Sequence, residues 1–302
     1  MDVNNQTHTP QVSDFDPDRR RKLDQMRALG IDPFPAAAFL PGHAPAEIQA
    51  DAESLIANGA TVRVAGRIVR ENPLGGTVFM DIQDCGARVQ AMFRRNGLAA
   101  TEWAVMPLLD VGDFIGVEGT VMRTRVGEVT VDVRQLTVLG KAAQAMPIGK
   151  QTRDGAFHDA LADGGALARQ RHVAMQVNPE FRTRMILRHQ IIRGIRDYFD
   201  GLGFTEVSTP LMVSAYGGAA AKPFSTHVNA LDQDMYLRVS PESNLKRVLC
   251  GGLNAIYEIG QNFRNEGIDA THNPEFTMME WYEAYTSYEE QMVHFETLVP
   301  QV

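Results

Sequence analysis

Residues 61–93, TVRVAGRIVRENPLGGTVFMDIQDCGARVQAMF, contain three short segments in which apolar and polar residues alternate. Alternation with a period of two is typical of β-strands that bury one face. Phe79 and Asp81 fall on the face opposite to the apolar positions of the second segment. The residues predicted to share the buried face are Val62, Val64, Ile68, Val78, Met80, Ile82, Val89, Ala91 and Phe93.

The segments that follow complete a recognisable layout. A helical pattern covers residues 98–109, and two more alternating segments, 114–124 and 128–139, form a pair across 125–127. Three strands, a helix and two strands in about 80 residues are typical of a five-stranded OB barrel, whose face at strands 2 and 3 commonly binds single-stranded nucleic acid. A fold alone does not establish such binding.

The flanking sequence predicts helices mixed with strands. Before the barrel, 14–30 reads as a helix; after it, 181–201 is a long amphipathic helix, and 243–250 and 287–298 are shorter ones. Strands are expected at 235–241, 255–263 and 275–285. Because helices and strands do not alternate regularly, we predict an α+β protein with an antiparallel sheet and flanking helices rather than a doubly wound fold.

Composition excludes several classes of protein. The chain has 302 residues, 44% of them hydrophobic, and a net charge of −8. This is an ordinary globular composition, and the charge argues against a protein that coats nucleic acid by bulk electrostatics. Without an apolar run of about 18 residues or a signal peptide, neither a membrane partner nor secretion is expected, and a cytoplasmic location is.

Two local features admit more than one interpretation. The basic run from Arg19 to Lys22 favours a solvated helix face, with contact to a nucleic-acid backbone as the alternative. Cys85 and Cys250 are far apart and belong to no Cys/His cluster, so we expect small buried hydrophobes rather than a disulfide or a zinc site.

Three stretches in the second half carry a family resemblance: GFTEVSTPLM (203–212), GGAAAKPFSTHVNALDQDMYLRVSPE (217–242) and YEIGQNFRNEGIDATHNPEFTMMEWYEAY (257–285). They resemble motif 1, the amino-acid pocket and motif 2 of the class II aminoacyl-tRNA synthetases, and most closely the lysyl-tRNA synthetases of class IIb. The resemblance implies an N-terminal helical extension (1–58), an OB-fold anticodon-binding domain (59–142), a connector (143–180) and the first part of a catalytic domain with motifs 1 and 2 (181–302).

The resemblance implies roles in binding ATP. Amino-acid activation brings a carboxylate to the α-phosphate of ATP, and a forked guanidinium neutralises both anions; Arg264 matches that catalytic position. Phe276 matches the residue that stacks on the purine, and Glu266 and His272 match nucleotide contacts. The ordinary alternatives are a same-face pair of Arg264 with Glu266 on a strand, a core position for Phe276 and a polar loop position for His272.

The resemblance also implies lysine and tRNA sites. Gly218 and Glu242 match the site of the lysine α-ammonium, and Glu280 and Tyr282 match the side-chain pocket, although Glu280 could merely pair with a neighbour. Anticodon binding is carried over to Phe79 and Gln90, with Arg67 and Glu128 as weaker candidates. The alternative for Phe79 is an outer-face aromatic packed on the N-terminal helix.

The sequence departs from the family in three places. Ala174 and Met175 stand where an Asp-Leu pair is usual, so the connector is looser than the family's. Ser243 and Asn244 follow Glu242 where a bulky pair is usual, which puts the packing behind the pocket in doubt. After Gly267 there is no glycine, lysine or arginine, so the glycine-rich motif 3, with its second arginine, is expected to be absent. Magnesium is expected by family, with ligands in that missing part and no metal site in this chain.

The function implied is lysine-tRNA ligase: ATP-dependent activation of lysine and its transfer to tRNA(Lys), by a homodimer formed through the motif 1 region. A chain cut short before motif 3 is expected to be inactive in adenylate formation by itself. The alternative is a non-catalytic tRNA-binding or regulatory synthetase-like protein. The asparagine and aspartate enzymes share this architecture, but the residues of motif 2 and of the GGAAAKPF segment favour lysine as the substrate.

Overall fold

The first half of the chain is built around the barrel. The computed structural model describes residues 16–147, 150–151, 157–158 and 169–302, and the chain divides into two units, Met1–Arg182 and Thr183–Val302. The barrel strands are β1 (Thr61–Leu74), β2 (Thr77–Asp84), β3 (Ala87–Arg94), β4 (Phe114–Arg123) and β5 (Val129–Gly140). They close in the order β1, β2, β3, β5, β4, with β3 and β5 parallel and the other neighbours antiparallel.

The period-two reading of the barrel strands is confirmed. Val62, Val64 and Ile68 are fully buried, and the predicted inward positions of β2 and β3 are at most 8% exposed. Gly66 is required by close packing, because a Cβ there would lie 2.7 Å from the carbonyl oxygen of Gln83 on the neighbouring strand. The helices of this unit are α1 (Pro17–Ala28), α2 (Pro45–Ala50), α3 (Ala52–Ala57), α4 (Ala100–Val105), which runs into a 3-10 turn (Met106–Leu108), and α5 (Arg171–Val177).

The basic run of α1 is only partly a solvated helix face, because Arg20 and Arg21 are exposed whereas Arg19 and Lys22 bind residues of the barrel unit. Arg19 is 8% exposed and donates to the carbonyl oxygen of Val111 at 2.9 Å. The Lys22 ammonium lies 2.6 Å from a carboxylate oxygen of Asp110. Two of the four basic side chains therefore attach the helix to the rest of the barrel unit. The local charge pattern does not reveal this role.

The second unit contains two three-stranded sheets. Its strands are β8 (Thr205–Glu206), β9 (Met212–Val213), β10 (Ser225–Val228), β11 (Gln233–Leu237), β12 (Ala255–Phe263) and β13 (Glu275–Glu283). β12 and β13 pair antiparallel over nine residues, and β8 joins β12 in parallel. The antiparallel prediction therefore holds for the main pair, and the structure adds a parallel edge strand. The other sheet has the order β10, β11, β9. In the first unit, a separate short pair joins β6 (Lys150–Gln151) and β7 (Phe157–His158).

The two faces of β12 and β13 have different surroundings. Tyr257 packs with Phe199 and Leu298 in the core of the unit, and Trp281 lies 5.3 Å from Phe199 between ring centroids. The even-numbered residues of both strands lie on the opposite face, and they include Glu258 and Glu280. The helices of this unit are α6 (Pro179–Gly201), α7 (Glu242–Cys250) and α8 (Tyr288–Gln301).

Two expectations differ from the structure. Both cysteines are exposed and unpaired, so their assignment as buried hydrophobes is wrong. Cys85 has φ +45° beside Gly86 at φ +88°, because these two residues form the tight turn between β2 and β3. The strand expected at 235–241 ends at Leu237.

Much of the connector expected at 143–180, and the start of the helix expected at 14–30, lie outside the described residues. No helix in the described part of the chain is long and apolar enough to span a membrane.

Candidate functional site

A cavity with a volume of about 750 Å³ lies on the outer face of the barrel. We call it the barrel cleft. Phe79 and Gln90 line it, so Phe79 is not packed beneath the N-terminal helix. The other lining residues are Arg70, Asn72, Leu74, Thr77, Asp81, Met92, Arg94, Met122, Thr124, Arg125 and Val126.

Neighbouring strands fix the orientation of the barrel-cleft residues. Phe79 stands opposite Met92 in the register of β2 and β3, and Gln90 stands opposite Asp81. The Thr130 hydroxyl donates to Gln90 Oε1 at 2.8 Å. The amide nitrogen of Gln90 thereby keeps its two protons for a ligand. An aromatic surface beside an oriented amide suits a nucleobase, which stacks by its face and forms hydrogen bonds at its edge.

Arg67 and Glu128, the weaker anticodon candidates, do not line the barrel cleft. The Arg67 guanidinium lies 4.1 Å from the centroid of the Phe114 ring and donates to the carbonyl oxygen of Gly112 at 2.8 Å. Burial lowers its pKa. Glu128 is exposed beyond the turn that supplies Thr124, Arg125 and Val126 to the cleft. Burial raises the pKa of Asp81, and the negative charge of Glu128 raises it further. Glu128 therefore acts electrostatically on a residue that lines the cleft, although it does not line the cleft itself.

The second cavity, the carboxylate cleft, has a volume of about 600 Å³ and lies in the second unit. Glu242, Glu280 and Tyr282 line it together with Glu283, and its lining includes no lysine or arginine. The remaining lining residues are Met279, Trp281, Thr286, Ser287, Tyr288 and Gln291. A cleft with this charge suits a cationic ligand.

Hydrogen bonds fix the carboxylates of this cleft. The Ser240 hydroxyl donates to one oxygen of Glu280 at 2.7 Å, and the Tyr282 hydroxyl donates to the other at 3.0 Å. Burial, followed by the charge of Glu280, raises the pKa of Tyr282, so the phenol remains a donor. Glu280 does pair with neighbours, as the ordinary alternative supposed, and these neighbours hold its carboxylate in place on the cleft.

Gly218 lies against Glu242, as the lysine-site interpretation requires. Gly218 has φ +86°, and a Cβ there would come within 2.8 Å of both Glu242 Cβ and Ser240 Oγ. Any side chain would therefore displace Glu242. Glu242 begins α7, and one of its oxygens receives a hydrogen bond from Lys246 at 2.6 Å. Ser243 stands 3.5 Å from the position of a Cβ on Gly217.

Arg264 and Phe276 are brought together at the open end of β12 and β13. The Arg264 guanidinium carbon is 5.2 Å from the centroid of the Phe276 ring. The backbone N–H of Arg264 donates to the carbonyl oxygen of Pro274 at 2.9 Å. The Arg264 Nε is buried and has no hydrogen-bond acceptor among the described residues. Because Arg264 follows the last residue of β12, it does not form the same-face strand pair with Glu266.

His272 and Glu266 occupy the loop between these strands, and both are exposed. The His272 Nδ1 lies 2.8 Å from Asp269, whose carboxylate also accepts from the backbone N–H groups of Thr271 and His272. These hydrogen bonds, that from Thr271 first, hold the pKa of Asp269 at about 2. Asp269 therefore organises the loop that presents His272.

Comparison with known proteins decides the family of each unit. Residues 62–139 match the model for the OB-fold nucleic acid binding domain of the anticodon-binding family, and residues 165–302 match that for tRNA synthetases class II (D, K and N). The chain joins an OB-fold nucleic-acid-binding domain to a class II tRNA synthetase domain.

Similar curated proteins agree with this assignment. The chain is 43% identical to "Lysine--tRNA ligase" of Carboxydothermus hydrogenoformans over 94% of its own length and 56% of the relative's. Identity to proteins of the same name is 40% in Porphyromonas gingivalis and 41% in Listeria monocytogenes, with 94% of this chain and 50% and 56% of those relatives covered. The chain thus spans about half the length of these relatives.

The synthetase domain also contains functional candidates that the motifs did not reveal. Arg238 and Glu258, both almost fully buried, form an ion pair at 2.6 Å beneath the even-numbered face, and Thr209 donates to Glu258 at 2.7 Å. The Arg238 Nε donates to the carbonyl oxygen of Gln261, three residues before Arg264. The sequence signal that could have indicated this pair is Glu258 itself, because it is the one acidic residue in the apolar stretch AIYEIG (255–260). Among the described residues, no group of three His, Cys, Asp or Glu side chains is placed to hold a metal ion.

Proposed function

We propose that this chain performs the recognition steps of a lysine-tRNA ligase: the synthetase domain binds lysine and ATP, and the OB domain binds the anticodon of tRNA(Lys). The observation that carries the proposal is the carboxylate cleft. Three glutamates line it and no lysine or arginine does; among the described residues Lys246, which lies outside the lining, pairs with Glu242 only, so the cleft keeps a negative charge that suits a substrate with two ammonium groups. Aspartate, which carries two carboxylates, would meet repulsion there.

The proposed arrangement places the lysine α-ammonium at Glu242, beside the backbone of Gly218, and the side chain along Glu280 and Tyr282. Arg264 would neutralise the substrate carboxylate and the α-phosphate, with the adenine stacked on Phe276. The buried Nε of Arg264, which has no acceptor among the described residues, supports this assignment because such a donor is satisfied by an anionic ligand. Glu266 and His272 are proposed nucleotide contacts from the loop.

The substrate class is tested by calorimetric titration of the chain with lysine, asparagine and aspartate. We expect lysine to bind tightest, and Glu280→Gln to weaken it by at least about 30-fold, corresponding to the loss of a hydrogen-bonded charge contact of about 2 kcal/mol. Glu275→Gln is the matched control, since Glu275 lies on the same strand but does not line the cleft. Tighter binding of aspartate than of lysine, or equal effects of both variants, would overturn the assignment.

The enzyme and the non-catalytic alternative are separated by lysine-dependent ATP–pyrophosphate exchange. Exchange that disappears in Arg264→Ala supports the ligase. Because this chain by itself is expected to be inactive without motif 3, tRNA binding without exchange supports a tRNA-binding or regulatory role only if a chimera that carries the C-terminal half of a lysine-tRNA ligase relative also lacks exchange.

We also infer that two copies associate through the motif 1 region. Helix α6 leads into the motif 1 segment (203–212), and both expose apolar side chains: Leu187 and Ile191 lie one turn apart on the helix, and Met212 is half exposed. Contiguous apolar surface of this kind is typical of an interface. Sedimentation equilibrium is expected to give a dimer that Leu187→Glu dissociates, and a wild-type monomer would contradict it.

A further inference from the structure

A third cavity, the basic cleft, adjoins the barrel cleft and shares Thr77 and Arg94 with it. It has a volume of about 580 Å³ and is lined by residues 76–77, 94–97 and Arg134. Its lining contains three guanidinium groups and neither a carboxylate nor an aromatic ring. Its chemistry is therefore that of an anion site, in contrast to the aromatic and apolar surface of the neighbouring barrel cleft.

A buried carboxylate positions two of the three arginines. Asp132, whose side chain is 6% exposed, accepts from Arg94 Nε at 3.1 Å and from Arg134 Nη2 at 2.7 Å. One negative charge between two positive ones leaves an excess of one positive charge. Both arginines remain about half exposed, so their outer N–H groups still face solvent.

Arg95 adds a second unneutralised charge. Its side chain is exposed, and no residue in the described part of the chain forms an ion pair with it. The backbone N–H of Arg95 donates to the carbonyl oxygen of Gly76 at 3.1 Å, which joins the loop after β3 to the turn between β1 and β2. The glycines at 76 and 97 keep the walls of the cleft free of side chains, so an extended ligand has access to the backbone.

We propose that the basic cleft binds the sugar-phosphate backbone of an RNA strand whose bases enter the barrel cleft. The inference rests on the proposed RNA-binding function of the OB domain. A basic groove that follows the backbone next to an aromatic surface for the bases is the arrangement by which proteins hold single-stranded nucleic acid. Arg94, Arg95 and Arg134 contact phosphate, so they add affinity without reading sequence.

The test measures how the dissociation constant (Kd) of labelled RNA stem-loops depends on salt, by fluorescence anisotropy between 50 and 200 mM KCl. One probe carries the lysine anticodon and the other a scrambled loop. Each phosphate contact contributes about 0.7 to 0.9 to the slope of log K against log salt. We expect Arg95→Gln to reduce the rise in Kd over this range by about 2.5- to 3.5-fold, equally for both probes.

Matched variants separate this proposal from anticodon recognition. Arg247→Gln, the same charge change in the synthetase domain, should leave the slope unchanged, and Arg134→Gln should act like Arg95→Gln. Phe79→Ala should weaken binding with little change in slope.

If the wild type binds and neither cleft variant alters the slope, the proposal is wrong while RNA binding stands. If both probes bind equally and Arg95→Gln still lowers the slope, the phosphate site stands and anticodon reading fails. Failure of the wild type to bind either probe overturns both.

Discussion

The buried ion pair of Arg238 and Glu258 gives the most quantitative prediction about the synthetase domain. The side chains are 1% and 4% exposed and meet at 2.6 Å. In Glu258→Gln the guanidinium keeps its charge but loses its carboxylate, and the Arg238 Nη2 already lacks a partner among the described residues. Because an uncompensated buried charge costs about 3–5 kcal/mol, we expect the free energy of unfolding to fall by that amount.

Glu206→Gln is the matched control. Glu206 forms an ion pair with an arginine too, Arg196, through two hydrogen bonds, but the side chains are 36% and 44% exposed. Water replaces most of what this pair contributes, so the expected loss is below about 1 kcal/mol. The two variants make the same chemical change in the same unit, and the difference between them isolates the effect of burial.

Urea unfolding followed by tryptophan fluorescence measures both variants. A Trp103→Phe background leaves Trp281, which packs against the core of the second unit, as the reporter. With a slope of about 2 kcal/mol per molar urea, Glu258→Gln should lower the midpoint by about 1.5–2.5 M. Replacing both partners by Met and Leu should restore much of the stability, because no charge is then left buried. Equal midpoints for Glu258→Gln and Glu206→Gln would refute the reasoning.

Three other predictions concern separate parts of the chain. Phe79→Ala should weaken binding of a lysine anticodon stem-loop by about 5- to 150-fold, corresponding to about 1–3 kcal/mol for one stacked base; a change under twofold in anisotropy titrations would exclude stacking. The pKa of Asp269 is depressed to about 2, so its stabilisation of the loop is fully present above about pH 4 and is lost as the pH falls through 2. Carboxyl-carbon NMR should show that low midpoint, and a midpoint near 4 would contradict the loop geometry. Asp113 is fully buried, lies 2.8 Å from Lys141 and accepts from the backbone N–H groups of Asp110 and Ala142. Asp113→Ala leaves these donors without that acceptor and should destabilise the barrel by at least about 2 kcal/mol, although Lys141 keeps Asp110 as a partner. The exposed Asp18→Ala is the control and should leave the unfolding midpoint unchanged, with Trp103 fluorescence as the readout.

Local patterns predicted the secondary structure well because they record which face of a segment is buried. The strand expected at 255–263 has those bounds in the structure, and the inward faces of β1 to β3 consist of the residues that the alternation selected. The family motifs likewise predicted that Arg264 and Phe276, and Gly218 and Glu242, would serve one site each. The structure places each pair in contact range.

Contacts between residues distant in the chain were not predictable in this way. Nothing next to Arg19 or Lys22 indicates that they anchor a helix through Val111 and Asp110, some 90 positions away. The burial of Cys85 was wrongly predicted because the position depends on a turn with positive φ, not on residue type.

The sequence by itself determined the order of elements, the buried faces of the strands and the family of both domains, because these depend on residues close together in the chain. Only the tertiary structure decided which charges are paired and which remain available to a ligand. Asp132 neutralises part of two arginines, Arg95 has no ion-pair partner among the residues that the structure describes, and Arg238 is matched by Glu258 twenty residues later. The physical reason is that the strength of a charge depends on its burial and its partners, and both are set by the path of the chain in space.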